Sequence, residues 1–78
     1  MVDPPVRIDV RGMACSDAVV KLHKTIVPLP AGTSVFVVAD DEGVVADLRK
    51  YAARGGHHWS HEQRRAPPVI EAEVRRGD

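Results

Sequence analysis

The sequence predicts an α/β (α+β) fold, a two-layer βαβαββ sandwich in which two helices cover one face of a four-stranded mixed sheet. In the segments 6–11 and 70–75, apolar residues alternate with charged ones, which is typical of half-buried strands. Two segments between them repeat apolar residues every three to four positions, which is typical of amphipathic helices. Since βαβ units cross right-handedly, both helices should lie on the same face.

The first strand is expected over 6–11 and is ended by Gly12, and a helix follows over 16–27. Ser16 or Asp17 could cap its first turn, and Pro28 ends it because proline cannot continue a helix. The residues expected on its buried face are Ala18, Val19, Leu22 and Ile26, with Cys15 at the same end as the cap.

The second strand is an uninterrupted apolar run over 35–39, so we expect it in the centre of the sheet or covered on both sides. The acidic residues 40–42 then open a second helix, because carboxylates are favoured at a helix N-terminus. Gly55 and Gly56 end this helix. Its expected buried stripe is Val44, Leu48, Tyr51 and Ala52.

The third strand is expected over 57–62, with His57, Trp59 and His61 on one face, and a polar turn over 63–67 leads to the fourth strand. The whole chain, 1–78, is one domain, and the segments 1–5 and 76–78 are expected to be flexible ends. The face of the sheet away from the helices should carry the charged residues Arg7, Asp9, Arg11, Glu71, Glu73 and Arg75.

Composition excludes several classes of protein. Eleven basic and eleven acidic residues give zero net charge, which argues against direct binding of nucleic acid. A single cysteine cannot form an internal disulfide, which fits a reducing compartment. The N-terminus does not resemble a secretory signal, and no apolar run is long enough to span a membrane. We therefore expect a cytoplasmic protein with no membrane partner.

Cys15 is the candidate reactive residue, because it lies where the first strand gives way to a helix. Unpaired N–H groups at a helix N-terminus favour a thiolate, which is the nucleophilic form of cysteine. The simpler interpretation is that a lone cysteine is a small buried hydrophobic residue.

The run 8–15, which reads Ile-Asp-Val-Arg-Gly-Met-Ala-Cys, resembles the opening of the TusA/SirA-like sulfur-carrier family. The likeness continues in Leu-Pro-Ala-Gly at 29–32, Ala-Asp-Asp at 39–41, and Tyr-Ala-Ala-Arg-Gly-Gly-His at 51–57. The family's Cys-Pro-x-Pro motif is degenerate here, since Cys15 is followed by Ser16, Asp17 and Ala18. Without these prolines we still expect the same fold, but the efficiency of sulfur transfer and the choice of partner are in question.

The resemblance implies a βαβαββ sandwich that carries sulfur as a persulfide on Cys15, with no cofactor or metal. A cysteine desulfurase or a rhodanese-like protein would supply the sulfur. A downstream sulfur-relay protein, such as a DsrE-like one, would accept it for tRNA thiolation, cofactor assembly or sulfur metabolism. Any catalysis would be at most of the sulfurtransferase type. The residues expected to support the motif are Arg11, Gly12, Met13, Ser16 and Asp17.

Several alternatives stay open at this level. Arg11 could steer an anionic sulfur or be an ordinary solvated charge, and Met13 could contact a partner or fill the core. Asp17 could stabilise the helix start or oppose thiolate formation. His57 and His61 could bind one metal only if their segment were helical rather than extended.

Two other functions compete with sulfur carriage. The chain could be an interaction or regulatory module on the same fold with a vestigial cysteine. It could also bind RNA through its paired arginines, although zero net charge and one each of Phe, Trp and Tyr argue against it.

Overall fold

The computed structural model describes residues 6–77 and contains the predicted order of elements. The elements are β1 (Val6–Asp9), α1 (Cys15–Ile26), β2 (Ser34–Ala39), α2 (Glu42–Arg54), β3 (His58–Arg65) and β4 (Val69–Arg75). The segment 1–5, which was expected to be flexible, lies outside the described residues, and so does Asp78 at the other end.

The sheet has the strand order β1-β2-β4-β3, so β2 is central, as its apolar sequence indicates. β1 runs parallel to β2, whereas β4 pairs antiparallel with both β2 and β3. Leu22 and Ile26 of α1 and Leu48 of α2 join one core cluster with the inner face of the sheet. Both helices therefore cover the same face, and the predicted two-layer sandwich with a mixed sheet is confirmed.

The start of α1 differs from the prediction by one residue, and its expected cap is wrong. The N-cap is Ala14 in an extended conformation, and no side chain caps the helix. Because Cys15 is already helical, Ser16 and Asp17 lie within the first turn, where neither can occupy the cap position. The predicted buried residues Ala18, Leu22 and Ile26 are confirmed, while Val19 is only half-buried.

The start of α2 agrees with its acidic sequence. Asp41 is the N-cap, and its Oδ1 accepts hydrogen bonds from the backbone N–H groups of Gly43 at 2.7 Å and Val44 at 3.2 Å. The predicted stripe is buried at Val44, Leu48 and Ala52, but not at Tyr51. Tyr51 is half-buried, and its hydroxyl is hydrogen-bonded at 2.7 Å to Nδ1 of His23 on α1.

β3 is longer than predicted, and its side chains do not keep one alternation. The strand continues to Arg65 through the segment expected to be a turn. The register with β4 shifts between Ser60 and Gln63, and His61 has a φ of 56°. This bulge moves His61 away from the face of Trp59, which packs against the core, so the predicted shared face is wrong.

The open face of the sheet is charged, as predicted. Half-buried Glu71 lies near Arg7 and Arg65 at 3.7 and 3.1 Å, and half-buried Glu73 accepts a hydrogen bond from the Ser34 hydroxyl. One predicted member is misplaced: Arg11 lies in the turn that follows β1 rather than on the strand.

The predicted C-terminal tail is wrong for its first two residues. Arg76 extends the pairing beyond β4, since its N–H donates to Thr33 O and its carbonyl accepts from Gly32 N, both at 2.8 Å. Gly77 is buried. These backbone bonds hold the segment against the rest of the domain.

Candidate functional site

The segment between β1 and α1 is held to the sheet by backbone groups. Val10 N–H donates to Val38 O at 2.8 Å, and Met13 N–H donates to Val10 O at 3.2 Å. Gly12 has a φ of 75°, a left-handed conformation that glycine adopts without strain, and its N–H donates to Asp40 Oδ1 at 3.2 Å. This turn directs the chain from the edge strand β1 into the first residue of α1.

Cys15 is that first residue of α1, and its thiol is free and half-buried. No side chain satisfies the N–H groups of the first turn, because Ala14 at the N-cap has no hydrogen-bonding side chain. Cys15 also packs against the edge of the core cluster. The thiol is thus neither fully exposed nor enclosed, and it lies beside a helix end whose backbone donors lack a side-chain acceptor.

The electrostatics of Cys15 are opposite to the sequence-based expectation of a favoured thiolate. The pKa of the thiol is raised, because the neighbouring Asp47 carboxylate favours the protonated form, because burial disfavours the charged form, and because Asp41 also repels a thiolate. The backbone N–H of Cys15 itself lowers the pKa but is the smallest of these effects. The resting thiol is therefore held in its protonated form.

Asp47 is a neighbour of Cys15 that could not be predicted from the sequence. It lies in α2, next to the fully buried Leu48, and is itself half-buried. Its position 32 residues after Cys15 gives no local signal, because the contact depends on how α1 and α2 pack against each other. An acidic residue beside the buried stripe of the second helix was the only available indication.

Asp17 and Ser16, the two motif-supporting residues after Cys15, are both exposed. The carboxylates that raise the pKa of Cys15 belong to Asp47 and Asp41, not to Asp17. Asp17 is a solvated residue in the first turn of α1, where the helix dipole favours a carboxylate.

Arg11 and Met13 both make contacts within the domain. The Arg11 guanidinium forms a two-pronged ion pair with Asp9, with Nη2 2.7 Å from Oδ2, and this lowers the pKa of Asp9 to about 2. The charge of Arg11 is therefore engaged locally. Met13 is half-buried and packs against the core cluster.

His58 and His61 lie on β3, and His57 directly precedes it. The segment after His57 is a strand rather than a helix, and no group of three or more His, Cys, Asp or Glu side chains within residues 6–77 is arranged to hold a metal ion. His61 instead lies with Nδ1 3.8 Å from a carboxylate oxygen of Glu73.

The arginine pair on β3 is balanced by carboxylates. Arg64 contacts both Glu42 and Glu62, and Arg65 contacts Glu71. These ion pairs reduce the uncompensated positive charge with which this pair could attract a phosphate backbone. In the part of the chain that the structure covers, neither helix is long and apolar enough to cross a membrane.

Comparisons with known proteins agree with one another. The sequence matches the family described as sulfurtransferase TusA over residues 6–76. A curated relative, "Putative sulfur carrier protein YrkF" of Bacillus subtilis (strain 168), is 34% identical over 59 residues. That match covers 76% of this chain but only 32% of the relative, so the chain spans about a third of the length of that protein.

The fold is also found in a solved structure. The crystal structure of a SirA-like protein from Desulfitobacterium hafniense superposes with a TM-score of 0.83 at 27% sequence identity. The alignment covers 94% of this chain and 99% of that one. Because the family match spans residues 6–76, the chain belongs to the TusA family of sulfur carriers.

Proposed function

We propose that this protein accepts sulfane sulfur as a persulfide on Cys15 and passes it to a downstream acceptor. The observation that carries the proposal is a single free, half-buried thiol at the uncapped start of α1 in a TusA-family chain. The absence of a second cysteine supports it, because an internal thiol would discharge the persulfide by forming a disulfide.

The chemistry consists of two exchanges at sulfur. In loading, the Cys15 thiolate attacks the outer sulfur of a donor persulfide; the donor S–S bond breaks, and the donor thiolate leaves with the electron pair. In unloading, an acceptor thiolate attacks the outer sulfur of the Cys15 persulfide, and the Cys15 thiolate leaves. Both steps resemble thiol–disulfide exchange, in which the thiolate fraction and access to the sulfur determine the rate.

Asp47 holds the resting thiol in its protonated form, because its carboxylate raises the pKa of Cys15. Loading requires that this proton leave, and the departing donor thiolate can take it up. The arrangement limits indiscriminate oxidation of the free protein, because oxidation of cysteine follows its thiolate character.

The missing motif prolines do not argue against carriage. Ser16 stands where the family has its first proline, yet α1 still begins at Cys15. Ala18, which stands in place of the second, is fully buried in the core. The small side chain lets α1 pack closely against the domain, so the altered motif still supports a helix start at the reactive sulfur.

The proposed partners follow from the family and not from any surface of this chain. They are a cysteine desulfurase or rhodanese-like donor and a sulfur-relay acceptor such as a DsrE-like protein. The pathway served would be tRNA thiolation, cofactor assembly or sulfur metabolism in the cytoplasm.

Intact-mass spectrometry tests the proposal. The protein is incubated with a cysteine desulfurase and cysteine, and separately with a rhodanese and thiosulfate. We expect the mass to rise by one sulfur atom in the native protein and in Ser16→Ala, but not in Cys15→Ser. No gain with any donor, in protein whose fold is intact by circular dichroism, contradicts the proposal.

The raised pKa of Cys15 favours a second candidate, an interaction module with a vestigial cysteine. The Asp47→Asn variant separates the two. Asparagine keeps the shape of the side chain but removes its charge, so thiolate becomes more accessible and alkylation of Cys15 should accelerate. If this variant is alkylated faster yet still takes no sulfur from any donor, the module is the better interpretation.

A further inference from the structure

The C-terminal segment closes the domain at the end opposite the start of α1. Besides its backbone bonds to Gly32 and Thr33 just before β2, Arg76 reaches back with its side chain, and its Nε donates to the carbonyl oxygen of Ile26, the last residue of α1, at 3.0 Å. The next residue, Gly77, donates its N–H to Nδ1 of His57 at 3.0 Å. One short segment thus holds the end of α1 and the turn between α2 and β3.

Gly77 fits this position closely. A Cβ built on Gly77 would lie 1.8 Å from the carbonyl oxygen of Gly56 and 2.7 Å from its carbonyl carbon. Gly77 is buried, so its N–H needs a protein acceptor, and His57 Nδ1 supplies it. The position of Gly77 therefore depends on a single side-chain acceptor, His57 Nδ1.

Only a neutral imidazole can make this bond. Nδ1 accepts when the proton is on Nε2, whereas a protonated ring carries N–H on both nitrogens and has no acceptor left. Protonation would place two N–H groups against each other. Histidine is the side chain whose ordinary pKa lies nearest to the physiological range, so the contact is sensitive to modest acidification.

The neighbours of His57 do not compensate a positive ring. Tyr51 of α2 packs against it with ring centroids 6.1 Å apart, and the hydroxyl of Tyr51 is already bonded to His23 of α1. The charged groups that act on it are Arg76 from the C-terminal segment and His58 from β3. Burial of the ring, followed by these two charges, lowers the pKa of His57 below 6.5, because each disfavours its charged form.

We propose that His57 is an acid-sensitive latch, which holds the segment Arg76–Gly77 against the α2–β3 turn when neutral and releases it when protonated. Since the pKa is lower in the folded protein than in the unfolded one, stability from this contact is present above pH 6.5 and is lost as the pH falls through the lowered value. Release also frees Arg76 from the end of α1. This inference is independent of sulfur carriage by Cys15.

Amide hydrogen exchange measured by NMR, from about pH 7.5 to about pH 5, tests the latch. After correction for the intrinsic rate, exchange at Gly77 should accelerate roughly two- to tenfold as His57 titrates, the range expected for loss of one hydrogen bond. The amides of Val10 and Val74 in the core report global unfolding and should remain protected.

Two variants complete the design. In His57→Asn the side-chain oxygen can still accept but does not titrate, so the pH dependence at Gly77 should disappear. His58→Asn is the matched control, because it changes the exposed neighbouring histidine. In this variant the pH dependence of exchange at Gly77 should persist. Protection of Gly77 that stays constant while His57 titrates, or that falls equally with pH in His57→Asn, overturns the proposal.

Discussion

Asp41 links the stability of α2 to the reactivity of Cys15, and two substitutions separate these effects. Asp41→Ala removes the two hydrogen bonds that its Oδ1 accepts from Gly43 and Val44. Loss of such a cap costs about 1 kcal/mol, within a range of about 0.5–2 kcal/mol. For a domain of this size, the melting temperature should fall by about 4–8 °C per kcal/mol. Asp41→Asn keeps an acceptor and should melt within about 2 °C of the native protein.

The reactivity of the Cys15 thiol should respond to these two substitutions differently from the melting temperature. The carboxylate of Asp41 raises the pKa of Cys15 through space, so both variants remove that effect and should be alkylated faster by iodoacetamide at neutral pH. Asp17→Asn is the matched control, since it removes a nearby exposed carboxylate that does not raise this pKa. The reasoning is refuted if Asp41→Asn melts as low as Asp41→Ala, or if neither variant changes the alkylation rate.

Three further predictions concern the scaffold of the site. Leu48→Ala should destabilise the domain by about 2–5 kcal/mol in urea unfolding, because Leu48 is fully buried; a loss below about 1 kcal/mol would contradict its place in the core. Gly12→Ala should cost about 1–2 kcal/mol from its positive φ alone, since nothing lies near the added Cβ, and an unchanged melting curve would contradict that conformation. The ion pair between Asp9 and Arg11 should stabilise the protein above about pH 4 and be lost as the pH falls toward about 2, so Asp9→Asn should flatten this part of the acid titration.

The fold could be predicted from the sequence because each element has its own periodic signal. Alternation at Ile70, Ala72 and Val74 and the helical spacing of Leu22 and Ile26 depend only on local neighbours. The boundaries of β3 could not be predicted in this way. Its polar sequence reads as a turn, and the strand is maintained by pairing with β4 across a bulge at His61.

The candidate site was predictable in its position but not in its electrostatics. The run leading to Cys15 marks a strand–turn–helix junction, and the junction is where the sequence puts it. The proton affinity of the thiol depends on Asp47, which reaches Cys15 only through the packing of α1 on α2. Contacts between distant segments leave no periodic signal in a single sequence, so the helix-end argument alone gave the wrong direction.

The central claim is that Cys15 carries sulfur only transiently, between a donor and an acceptor. The most direct measurement is a chase: protein loaded with radiolabelled sulfane sulfur by a desulfurase is purified and then mixed with an excess of an unlabelled small-molecule thiol. We expect the label to leave the protein as persulfide on the added thiol, and Cys15 can then be loaded again. Label that remains on the protein, or that loads equally well onto Cys15→Ser, would contradict it.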